Sequence, residues 1–259
     1  VPAARWSRRS IWLAGAGLLA GALTQLLNET PAEWLSDAVA AASGRQLALA
    51  AVSGGLLAGE AGLQWNRAGS APLGLGRWRW QLAWPMDLQP SWRVASLSGP
   101  LQAHAVVSIG AAAAQLTELE ADCSASALPA GLAALELLHP GGEVHLTAAR
   151  LEVSAIGMAG SGVLAWRHAS TPLAGQAELG SWSARWTLAG REGDFRLSTE
   201  TGPLHLEGSG RIALDGRLGL HGRAWADPAS NGTLEPVLRM LGPLGDDGSA
   251  AIEWPWRPS

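Results

Sequence analysis

Arg77–Trp84, RWRWQLAW, sets Trp78, Trp80, Leu82 and Trp84 against Arg77, Arg79, Gln81 and Ala83. Successive side chains of a strand point to opposite faces, so the stretch predicts a strand with one apolar and one mostly polar face. The same grammar recurs downstream. In SWSARWTLAG, Trp182, Ala184, Trp186 and Leu188 share a face opposite Ser183, Arg185 and Thr187. Phe195 and Leu197 alternate with Arg196 and Ser198, and Leu204 and Leu206 with His205 and Glu207. Ile212 and Leu214 precede Asp215-Gly216, and Leu218 and Leu220 follow it. Asp-Gly between alternating segments predicts a hairpin, because both residues tolerate positive φ. Strands at this spacing imply an antiparallel meander, so the fold class is mainly β: a curved antiparallel sheet with a few short helices.

The helices come from three interruptions. NETPAEWLSDAVAAASG (28–44) predicts a short helix with Pro31 in its first turn and Gly44 closing it. LPAGLAALELLHPGG (128–142) predicts another, stopped by Pro140 and two glycines, and TLEPVLRMLGPLG (233–245) a third, stopped at Gly242-Pro243. SAAIEW (249–254) reads as a returning strand. The glycines of SGGLLAGEAGLQW (53–65) fit hairpin turns or close strand approach, since they lead into no helix whose N-terminus would complete a phosphate site.

Ahead of this lies SIWLAGAGLLAGALTQLL (10–27), uncharged and close to the minimum length of a membrane-spanning helix. Arg5, Arg8 and Arg9 before it and Glu29 after it predict a cytoplasmic N-terminus with the remainder outside. Ala38-Val39-Ala40 has the form of a cleavage site but lies too far beyond the apolar run, which favours an uncleaved anchor over a signal peptide. Gly17 and Gly21 form a GxxxG pair, a candidate for packing against another helix. The expected organisation is a cytoplasmic basic segment (1–9), a transmembrane helix (10–27), a short helix or linker (28–44) and a β-rich domain (45–259).

Net charge is −4, and all 18 basic residues are arginine. An acidic balance speaks against a nucleic-acid partner. Cys123, the only cysteine, has no base nearby in sequence and reads as an inert thiol. The six histidines show no metal-ligand spacing, no nucleophile elbow occurs, and Asp246-Asp247-Gly248 reads as a turn. No catalytic, cofactor-binding or metal-binding residue is therefore nominated. Fourteen tryptophans beside one phenylalanine and no tyrosine leave two readings. Either Trp78, Trp80, Trp182 and Trp186 fill a core, which their alternation favours, or indoles line a groove.

In order along the chain, TPAEWL, LALAAVSGGLLAGEAGLQW, PLGLGRWRWQLAW, LPAGLAALELLHPGGEVHLTAARLEV, GSGVLAWRHASTPLAG and LGPLGDDGSAAIEW resemble the type II secretion system protein N (GspN) family. Gly55-Leu56-Leu57 departs from the Thr-Leu-Trp more usual there. The resemblance implies a non-catalytic accessory of the machine that exports folded proteins across the outer membrane, held in the inner membrane with its bulk in the periplasm. It carries no established cofactor. Its implied partners are other inner-membrane platform proteins or the outer-membrane channel, with Arg77 and Arg79 the candidate partner surface. An anchor followed by a long antiparallel sheet also looks like the AsmA-like proteins, which implies lipid as the alternative ligand. A packed apolar face would mark a scaffold, an open trough a lipid carrier.

Overall fold

The computed structural model describes residues 33–43, 45–66, 72–83, 90–110, 112–127, 139–154, 156–174, 178–214 and 217–254. The chain divides into two compact units, Val1–Leu82 and Ala83–Ser259. Among the described residues no helix is long and apolar enough to cross a membrane. The predicted span 10–27, with Gly17 and Gly21, lies outside them, as do Pro31, Gly44, Trp84, residues 128–138 and the Asp215-Gly216 turn.

The first unit contains helix α1 (Glu33–Ala42) and strands β1 (Leu47–Gly54), β2 (Ala58–Trp65) and β3 (Leu73–Ala83). The strands form an antiparallel meander in chain order. The glycine-rich stretch is the β1–β2 hairpin, closed by Gly55 N–H donating to the Ala58 carbonyl at 2.9 Å. Ser36 on α1 donates to the Leu49 carbonyl of β1 at 3.3 Å, tying helix to sheet.

The second unit holds β4 (Ser91–Ser98), β5 (Leu101–Ile109), β6 (Ala113–Ser124), β7 (Gly141–Ser154), β8 (Gly157–Ser170), β9 (Glu178–Gly190), β10 (Glu192–Thr201), β11 (Leu204–Ala213) and β12 (Leu218–Ala226). Helix α2 (Asn231–Leu241) and β13 (Ala250–Trp254) complete it. Within this unit, from β4 to β13, consecutive strands pair antiparallel. The body of the expected helix, 128–138, lies outside the described residues, and Gly141 and Gly142, expected to help stop it, are the first residues of β7.

Glycine and aromatic residues meet across these ladders. Gly59 stands opposite Trp80, Gly162 opposite Trp186 and Gly210 opposite Phe195. A Cβ on each glycine would come within 2.4, 2.4 and 2.6 Å of the facing ring. The ring lies across its partner strand's bare backbone, so these glycines serve packing.

Three non-glycine residues with positive φ, Ala51, Glu118 and His168, sit where the pairing register slips by one residue. These are β-bulges, and each shifts the alternation of buried and exposed positions by one. In β6, Leu116 and Leu119 pair with Leu151 and Ala148 of β7 although they are three apart.

Helix α2 supplies the second unit's cover. Leu234, Val237 and Leu238 recur at helical spacing and are buried against Leu204, Ala224 and Ile252. Pro236 lies inside the helix, past the first turn, and so withdraws the amide that would otherwise bond the Gly232 carbonyl. The chain leaves the helix at Gly242, whose N–H donates to the Leu238 carbonyl at 3.2 Å, as the Gly-Pro signal predicts.

Candidate functional site

Among the described residues, the polar side chains single out no catalytic constellation. His145 bonds Asp122 at 2.6 Å, His168 bonds Glu178 at 3.0 Å and His205 bonds Asp227 at 2.9 Å. His145 and His205 are thus half-buried and carboxylate-paired, where the strand pattern alone makes them free surface residues. Only His221 of the three expected on polar faces is fully exposed. No group of three His, Cys, Asp or Glu placed to hold a metal ion occurs among the described residues. Cys123 is half-buried, and burial, helped by the Asp122 charge, raises its thiol above the ordinary value, so the thiolate is disfavoured.

Arg77 and Arg79 project from the polar face of β3 and converge on Glu60 of β2. Arg79 reaches one carboxylate oxygen with two nitrogens at 2.6 and 2.9 Å, and Arg77 takes the other at 2.9 Å. The Arg79 bond, with both arginine charges, holds the Glu60 carboxyl below the usual range. Because the folded pKa is depressed, the clamp stabilises the first unit above the ordinary carboxylate pKa and is lost as pH falls through the folded value. An NMR titration is expected to place Glu60 below an ordinary solvent-exposed carboxylate, and Arg79→Gln to raise it further than Arg77→Gln does. Equal shifts from the two variants would contradict the geometry.

Two other arginines have no such partner. Arg185 on β9 stands directly opposite Arg196 on β10, both exposed. Neither has an ion-pair partner within 4 Å among the described residues. Like charges directly opposite across a ladder are destabilising. Around them lies a shallow recess of about 680 Å³ bordered by Thr187, Ser209, Arg211 and His221. Here Asp194 is the only carboxylate, and it lies 3.8 Å from Arg211. Sequence reading places both arginines on polar faces; their juxtaposition depends on the β9–β10 register.

The opposite face of the same strands is apolar and incompletely filled. Trp182 on β9 is buried, at 4% exposure, as is Trp80 on β3 of the first unit by itself, at 7%, as core tryptophans are expected to be. Trp78 and Trp186 are only half-buried, which corrects the expectation that all four fill a core. Trp166 and Trp182 pack edge to face with ring centroids 5.4 Å apart. Their indole N–H groups donate to the Gly141 and Leu204 carbonyls, each at 3.0 Å. Beside them, between the sheet and α2, runs a cleft of about 340 Å³. Its walls come from six successive strands: Trp166 on β8, Trp182 on β9, Leu197 on β10, Leu206 on β11, Leu220 on β12 and Ile252 on β13. Leu164 and Met240, 37% and 46% exposed, mark where it opens to solvent.

A family model described as type II secretion system (T2SS), protein N, matches residues 45–253, a segment running from the start of the first unit's strands to the end of β13. No curated protein and no solved structure matches the chain.

Proposed function

Because the chain belongs to the type II secretion system protein N family, we propose that it is a non-catalytic accessory of the secretion machine. In this reading residues 10–27 anchor it in the inner membrane with a cytoplasmic N-terminus, and the β units stand in the periplasm. There they bind other proteins of the inner-membrane platform and support export of folded proteins across the outer membrane.

One observation supports the choice of surface within this reading. The Arg185–Arg196 pair places two uncompensated charges side by side on an exposed strand face. A partner carboxylate between them would relieve the repulsion and form charge-assisted, fork-shaped hydrogen bonds. Arg77 and Arg79 are a weaker candidate surface, since Glu60 already takes their donors.

The test is a mild-detergent pull-down of the full chain from its own membranes. Secretion-platform proteins are expected at near-stoichiometric yield. The double variant Arg185→Ser/Arg196→Ser is expected to lower that yield by about tenfold, the effect of removing a strong interfacial contact. A protein recovered alone would sink the accessory reading. Unchanged recovery by the double variant would sink the surface assignment only.

A further inference from the structure

We infer that the cleft between α2 and the apolar face of β8–β13 is a binding site for a single acyl chain of an amphiphile. The first ground is the lining. Of the described residues along it, only Ser170 and Thr171, adjacent in the chain, carry side-chain hydroxyls, and none is charged. Three indoles line the cleft: those of Trp166 and Trp182 already donate to backbone carbonyls, which leaves the Trp254 N–H as the one indole donor a ligand can meet. The walls thus offer a ligand apolar surface and almost no hydrogen bonds, which excludes a sugar, a nucleotide or a peptide backbone as the buried part.

The second ground is size. The walls come from six neighbouring strands, yet the void is only about 340 Å³. A helix with its side chains is about 10–12 Å across, so the cleft has no room for one, whereas part of a single flexible hydrocarbon chain fits. The third ground is access. Leu164 and Met240 are large, apolar and exposed at the opening, so a chain can enter there while a polar headgroup stays in water.

Ala184 lies on the floor of this cleft, opposite Leu164 on β8 and Leu197 on β10. A bulkier side chain there plugs the void without removing a wall. The experiment uses the full purified chain, held in an amphipathic polymer that leaves the cleft free of detergent. The probe is 9,10-dibromostearate, whose bromines quench nearby indoles. Saturable quenching at one equivalent is expected. Ala184→Phe is expected to weaken binding at least tenfold while keeping the native circular dichroism spectrum. Thr187→Phe, which adds the same ring on the polar face, is expected to bind as the unaltered protein does. If Ala184→Phe does not fold, Leu206→Phe plugs the same void from β11 and takes its place.

Incubation with phosphatidylethanolamine–phosphatidylglycerol vesicles, followed by native mass spectrometry, separates the two sources of the chain. A bound mass of an intact phospholipid or of a free fatty acid supports the site and names its source. No saturable quenching, or equal binding by the folded plugged variant, overturns it. All readouts are on the isolated protein, so their failure leaves the secretion reading standing.

Discussion

Trp182→Ala is expected to cost about 3–5 kcal/mol of stability, the range for removing a buried tryptophan side chain. Domains are stable by only about 5–15 kcal/mol, so this one change removes a large share of it. The reason is local. Trp182 is 4% exposed, packs edge to face on Trp166, and donates its indole N–H to the Leu204 carbonyl across two strands. Truncation opens a cavity against the existing cleft and leaves that carbonyl without its donor. Trp182→Phe keeps most of the apolar bulk but not the donor, so its cost is expected near the 1–3 kcal/mol of an unsatisfied buried acceptor. Urea unfolding followed by far-UV circular dichroism measures both. Equal losses in the two variants would show that the hydrogen bond, and not the volume, carries the effect.

Gly202→Ala is expected to destabilise by about 3 kcal/mol, combining backbone strain with a steric clash. Gly202 turns the chain between β10 and β11 at φ +109°, and a Cβ there would lie 2.2 Å from the Gly180 Cα of β9. Backbone, unlike the end of a flexible side chain, cannot swing aside. Gly190 is the control, because at φ +79° it has nothing within 4 Å of its Cβ position. Gly190→Ala therefore carries only the left-handed penalty of about 1–2 kcal/mol. Thermal unfolding of the pair isolates the close approach. A smaller loss at Gly202 than at Gly190 would refute it.

Much of this architecture is legible in the sequence where alternation is strong. β3, β9, β10, β11 and β12 each carry Trp, Phe or Leu two residues apart over part of their length, and α2 and β13 follow from the Gly-Pro stop and the apolar return. The strands β4 to β8 do not announce themselves in the same way. Alanine fills many of their inward positions, as at Ala103 and Ala105, and contrasts weakly with polar neighbours. Bulges do the rest. Glu118 puts Leu116 and Leu119 three apart, the spacing of a helix, although both pair within the same ladder.

Of the candidate site, the sequence supplies the faces but not their company. Trp182, Leu197, Leu206 and Leu220 are recognisable as one-sided residues, yet the void they border exists only because α2 covers part of that face. The Arg185–Arg196 contact is invisible without the register. Conversely, Arg77 and Arg79 attract notice through their spacing, and the carboxylate that engages them lies on another strand.

The neighbour-to-neighbour pairing of β4 to β13 also governs how the chain comes into being. Each hairpin can close once its second strand has emerged, without waiting for a distant segment, so the loop-closure cost stays small at every step. The exception is the lid. Leu204, Leu220 and Ala224 are in place before residues 231–241 exist to cover them. A nascent chain paused in that interval therefore shows its apolar face to whatever surrounds it, and the window closes only when Leu234, Val237 and Leu238 arrive. The stretch from Asn231 onward is thus the segment whose timing decides between folding and aggregation.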